Sequence, residues 1–181
     1  YSKPTNPIQS QWQFTAAFEG IVPHLYLDTR GHVTCGVGFL VPDAAALEQY
    51  AWAPSMAVAR ADYARVVRLL PGFTPSYYRA QMLARLSDRQ MREVFDRKVG
   101  EFRSGIAKWW SLDAQPLPVQ LALVDMAYTL GAGGLRKYAR LHQAIMARNW
   151  RAASTECSRR GVQPARDLAT RRLFEGLIAG D

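Results

Sequence analysis

The sequence predicts an α+β fold: mostly helix, with one small antiparallel β-hairpin near the N-terminus and a helical C-terminal lobe. Three features predict it. Apolar residues at helical spacing, with capping signals, recur through the second half of the chain. A turn flanked by two short β-type segments lies between His24 and Cys35. Val119 to Leu130 is apolar on nearly every face, as a helix buried inside a helical lobe must be. A chain of 181 residues fits one domain, or two lobes sharing a helix, and is long enough for a real core. We expect a single domain over 1–181, with 7–86 as an N-terminal lobe carrying the hairpin and 87–181 as the helical lobe. Residues 1–6 read as the remnant of a linker, because Tyr1-Ser-Lys-Pro-Thr-Asn6 lacks both Met and the charged-then-apolar layout of a signal peptide.

Ile8, Trp12 and the Ala16-Ala17 pair place a first helix over Ile8 to Phe18 that delivers Glu19 at its end. His24 to Leu27 and His32 to Cys35 form the arms of the hairpin; on the second, His32 and Thr34 share one face and Val33 and Cys35 the other. Gly36 and Gly38 then let the backbone kink or approach a neighbour closely. Asp43 caps a helix through Tyr50, and Ser55 caps another that ends before Pro71-Gly72. Ser87-x-x-Gln90 is a capping box opening a long helix whose apolar stripe is Met91, Val94, Phe95, Phe102, Ile106 and Trp109. Asp113 to Pro118 breaks it. The apolar helix from Val119 stops at Gly131, Gly133 and Gly134, and further helices span Arg136 to Arg148, Asn149 to Ser158 and Ala165 to Ile178.

Charge is unevenly placed. Residues 131–172 hold ten Lys and Arg against Glu156 and Asp167, which accounts for the whole net charge of +8. A one-sided basic surface attracts polyanions, among them carboxylated bacterial cell walls. No base-reading motif accompanies it, so nucleic acid is not the expected partner. No apolar run is long enough to cross a membrane. Cys35 and Cys157 make no disulfide framework, and whether they pair stays open; Cys35, among Val33, Gly36 and Val37, suits a small buried hydrophobe. His24, His32 and His142 stand apart, with no metal-ligand spacing to a cysteine, so solvated or packing roles are expected and neither metal nor cofactor is implied.

The chemistry-bearing stretch is Glu19-Gly-Ile-Val-Pro-His-Leu-Tyr-Leu-Asp28-Thr-Arg-Gly-His-Val-Thr34-Cys-Gly-Val-Gly38. Nine residues fully extended would separate Glu19 from Asp28 by about 30 Å. Gly20 and Pro23 break the extension, and Asp28-Thr-Arg-Gly31 has the Asp-first, Gly-fourth pattern of a turn. Both acids can therefore reach one cleft. Two facing carboxylates are what acid-catalysed glycosidic cleavage requires.

This segment resembles the phage-type lysozymes, the muramidase family of the T-even phage enzyme. Glu19, Gly20, Tyr26, Asp28, Gly31, Thr34, Gly36 and Gly38 fall at the family's spacing. Ala122 to Gly131, Asn149-Trp-Arg-Ala-Ala153 and Arg171-Arg-Leu-Phe-Glu175 resemble its central helix, its Trp-x-x-Ala-Ala helix and its closing Arg-bearing helix. The resemblance implies a lysozyme-like fold and hydrolysis of the β-1,4 bond between N-acetylmuramic acid and N-acetylglucosamine by an inverting single displacement. Glu19 would be the general acid, Asp28 would stabilise positive charge or orient the attacking water, and Thr34 would hold that water. Arg171 matches the arginine that pairs with the catalytic Glu, with Arg166 as the second candidate. Tyr26, Phe39, Met126, Tyr128 and Trp150 are candidate walls of a sugar groove, core packing being the better role for Met126 and Trp150. Thr129, where relatives carry a larger amide, is a further substrate contact, and Phe39 replaces a histidine common in the family. Peptidoglycan strands are the expected partner of a monomer acting in the periplasm or wall of a target bacterium, delivered by a larger phage or secreted protein. An immunity protein would be added if the parent is a toxin. The alternative is a catalytically silent, lysozyme-like wall-binding module.

Overall fold

Helix α1 spans Pro7–Glu19 in the computed structural model, which describes residues 7–178, with side chains from Ser10 onward. The expected linker remnant at 1–6 lies outside the described residues. α1 ends because Gly20 takes φ +75°, a conformation that removes it from the helix at little steric cost to a residue without a Cβ. Glu19 is thereby the last helical residue.

Strands β1 (Val22–Leu27), β2 (Val33–Gly36) and β3 (Phe39–Leu40) form one antiparallel sheet in that order. The turn between β1 and β2 closes through Gly31 N–H donating to Asp28 O at 3.0 Å and Asp28 N–H donating to His32 O at 2.9 Å. Tyr26 pairs with Thr34 and Leu27 with Val33 across the first ladder; Thr34 pairs with Leu40 and Cys35 with Phe39 across the second. β3 is not readable in the sequence, because two residues are too few to show an alternation.

Beyond the sheet, a 3₁₀ helix covers Ala44–Gln49, and Asp43 caps it by accepting from Ala46 N–H at 2.9 Å. Ser55 caps α2 (Met56–Val66), which stops four residues short of Leu70. A short α3 (Pro75–Arg79) follows, where the sequence marks only a break. Asp62 of α2, 1% exposed, accepts from Leu83 and Ala84 N–H at 2.7 Å each and so pins the loop into α4 (Asp88–Trp110). The expected capping box is half made. Ser87 Oγ accepts from Gln90 N–H, but the Gln90 amide oxygen turns to Ala51 N–H at 2.9 Å instead of returning to Ser87. Trp110, not Trp109, is the buried end of the α4 stripe, since Ile106 and Trp110 stand one helical turn apart.

The remaining helices are α5 (Leu117–Leu135), α6 (Ala139–Met146), α7 (Trp150–Glu156) and α8 (Pro164–Ile178). α5 is buried along Val119 and Ala122 to Ala127, as its all-round apolarity requires. Gly131, at φ 72° and ψ 161°, kinks this helix and does not end it; one more turn continues to Leu135. No helix among the described residues is long and apolar enough to cross a membrane.

The described residues form two compact units: residues 19–96, and residues 7–18 together with 97–178. The first contains the sheet, α2 and α3, with Leu25, Cys35, Val37, Phe39 and Leu47 inside. The second gathers α1 up to Phe18 with the later helices around Leu123, Met126, Leu141, Ile145 and Phe174. Cys35 and Cys157 are both free, buried thiols, and burial lifts Cys157 to about 11.

Candidate active site

The two glycines of Gly36-x-Gly38 have separate reasons to be glycine. Both hold positive φ, 60° and 66°. A Cβ on Gly36 would run into the Phe39 ring, and a Cβ on Gly38 would lie 2.5 Å from Glu19 Oε2 and 3.1 Å from its Cδ. The half-buried carboxyl of Glu19 is therefore seated directly against the backbone that leaves β2. A side chain at position 38 would displace it.

Tyr26 reports on both acids. Burial, first, and then electrostatic interaction with Glu19, Cys35 and Asp28 push its phenol up to about 12. Glu19 and Asp28 thus both lie within electrostatic reach of one ring, and Tyr26 shares the sheet face of its ladder partner Thr34.

Asp28 is held by its own turn. Its Oδ1 accepts from Arg30 N–H and His32 N–H at 2.8 Å each, and Oδ2 lies 3.3 Å from His32 Nδ1. The side chain keeps 34% exposure, so the fixed carboxylate still faces solvent. His32 is the neighbour the sequence reading passes over; its signal was the i, i+4 spacing to Asp28 across a tight turn. Thr34 is 5% exposed and donates its hydroxyl proton to His32 O at 3.1 Å, which leaves the oxygen's lone pairs to accept.

Two expected contacts have other described surroundings. Phe39 is 1% exposed, lies under Gly36 and stacks on Tyr50 at 6.1 Å, so its ring offers no face to a sugar. Arg171 is exposed, has no ion pair among the described residues, and its charge bears on the Cys157 thiol. The reason is helical phase. Arg166, Thr170 and Phe174 form the buried stripe of α8, and a residue five positions after Arg166 is rotated about 140° away from it.

Arg166 is part of a buried cluster in the helical unit. Asp125 of α5, fully buried, accepts from Arg166 at 2.7 and 3.0 Å, from Arg159 at 3.0 Å and from the Thr15 hydroxyl at 2.8 Å. Thr129 belongs to the same cluster: its oxygen accepts from Arg159 at 3.0 Å while its proton goes to the α5 backbone. Asp167 joins through Arg159 N–H at 2.9 Å, so two guanidiniums face two carboxylates. Two of the ten cations assigned to a basic surface are therefore core residues. Arg166 also lies over the Phe18 ring, 5.8 Å from its centre. Met126 and Trp150 are buried in the core, and Tyr128 packs on Phe102 at 5.5 Å. Among the described residues no group of three His, Cys, Asp or Glu could hold a metal ion.

Comparison with known proteins agrees with the motif. A search of curated proteins gives no match. The profile of the family described as phage lysozyme matches residues 16–175, a span that contains Glu19, the whole hairpin and every helix from α2 to the buried stripe of α8. The chain therefore belongs to the phage lysozyme family, glycoside hydrolases whose membership implies hydrolysis of peptidoglycan.

Proposed function

We propose that this protein cuts the β-1,4 bond between N-acetylmuramic acid and N-acetylglucosamine in peptidoglycan by a single displacement with inversion, acting in the periplasm or wall of a bacterium. Glu19, in its protonated form, donates to the leaving glycosidic oxygen as the bond to the anomeric carbon breaks. A water on the opposite face of the sugar attacks that carbon and gives its proton to Asp28. Thr34, whose own proton is engaged by His32 O, accepts from this water and aims its lone pair. The supporting observation is the placing of the two carboxylates about the first ladder, Glu19 seated on Gly38 just before β1 and Asp28 gripped by two turn amides just after it, with Tyr26 paired to Thr34 between them.

The test is digestion of purified peptidoglycan by wild type and Glu19→Gln, with fragments identified by mass and the first products by proton NMR. Wild type is expected to release fragments with muramic reducing ends of inverted configuration. Retained configuration or anhydro ends would replace the inverting route with another. Absence of any release by wild type would leave a silent wall-binding module as the better reading.

A further inference from the structure

Within the unit of residues 19–96 lies a cavity of about 710 Å³ between the start of β1 and the loop leading into α4. That size falls in the range of roughly 300–1,000 Å³ that small-ligand sites occupy. Its charged lining is Arg79, Arg85 and Asp88, two cations against one anion, while Ile21 and Leu86 supply apolar wall and His24 a buried ring. Arg85 is oriented by three backbone carbonyls, those of Met82, Ala84 and Arg79, at 2.6–3.0 Å. Arg79 is exposed, and its guanidinium makes no hydrogen bond among the described residues.

His24 is the unusual member. It is 3% exposed, and its Nδ1 has no hydrogen-bond partner. Burial first, then the charges of Arg85 and Arg79 hold its pKa down to about 4 against the opposing pull of Asp62, so the ring is neutral near neutral pH. A buried polar nitrogen without a partner is uncommon in folded proteins, and a ligand that reaches it removes the penalty. The cavity also begins close to the proposed acid. Ile21 is two residues past Glu19, at most about 7 Å along the chain.

We propose that this cavity is a subsite for the peptide stem of peptidoglycan, taking a free stem carboxylate between Arg79 and His24 and short aliphatic side chains against Ile21 and Leu86. The proposal rests on the peptidoglycan reading above. Asp88 suits the free amine of a diamino residue in the same stem, so the lining matches a zwitterionic peptide better than a bare polyanion. Cleavage of the glycan and grip on the stem would then be separate functions of one unit.

Binding tests this without relying on hydrolysis. The ¹⁵N-labelled protein is titrated with a synthetic stem tetrapeptide bearing free carboxylates, with its methyl ester, and with glycerol phosphate as the phosphate source of wall polymers. The free acid is expected to shift the His24 ring nitrogens, and the ester to bind about tenfold more weakly, the loss typical of one charge-assisted hydrogen bond. Arg79→Ala should weaken the free acid by a similar factor, and Arg79→Lys should recover part of it, both with unchanged backbone spectra. Stem shifts that map away from His24, equal binding of acid and ester, an Arg79→Ala variant that binds normally, or glycerol phosphate displacing the stem would each overturn the proposal. A protein that grips the stem but cuts no glycan would remove the hydrolase reading alone; one that cuts glycan and ignores the stem would remove only this subsite.

Discussion

Asp28 and Asp125 are both carboxylates fixed by hydrogen-bond donors, and they are fixed by opposite means. The donors to Asp28 are backbone amides two and four residues away, in a turn the local sequence dictates, and the side chain keeps a third of its exposure. The donors to Asp125 come from Thr15, Arg159 and Arg166, at separations of 110, 34 and 41 residues, and the side chain has none. A carboxylate held by its own turn stays in place while meeting solvent or substrate. A carboxylate held by distant side chains depends on the whole helical unit, and that unit in turn depends on its charge.

The largest effect is expected from Glu19→Gln, which should lower peptidoglycan turnover by about 10²–10⁴-fold, the usual share of a general acid, with melting unchanged. Gly38→Ala should lower turnover strongly as well, because the new Cβ occupies the place of the Glu19 carboxyl; equal turnover would separate the Gly38 contact from the chemistry. Asp125→Ala should act the other way round and destabilise by about 3–5 kcal/mol, since it removes the buried carboxylate that two guanidiniums share. Denaturant melts measure it, and a loss below about 1 kcal/mol would show that the cluster relaxes easily. Asp28→Ala should cost far less stability than Asp125→Ala while abolishing most turnover.

The smallest effect concerns pH. His24 titrates near 4 when folded against an ordinary value of 6.5, so the unfolded chain binds the extra proton between those values. The stability this gives is present above pH 6.5 and is lost as pH falls toward 4. His24→Gln should flatten that part of the melting profile relative to wild type. Identical acid slopes for the two proteins would show that carboxylates elsewhere carry the acid sensitivity.

Much of the site was legible because it is local. The Asp-x-x-Gly turn, the strand alternation around Thr34, the helix end at Glu19 and the caps at Asp43, Ser55 and Ser87 each depend on residues within a few positions. Gly36 and Gly38 were visible as special, though not why: one clears a buried ring and the other a carboxyl, neighbours only the folded backbone supplies. Phe39 read as a groove wall because aromatic residues serve both surfaces and cores, and nothing local distinguishes them. Arg171 and Arg166 were both plausible on a helix whose start, and hence rotation, the sequence leaves uncertain by a residue or two.

Periodicity, turn chemistry and the placement of glycine are written into the order of the residues, and they determined the helices, the hairpin and the positions of Glu19, Asp28 and Thr34. Which arginine is buried, where Asp125 finds its donors, and how β1 and the α4 loop enclose a cavity around His24 were decided only by the fold. Those features join side chains whose distance in space bears no relation to their distance along the chain. Burial then turns the same charge from a surface ornament into a structural requirement.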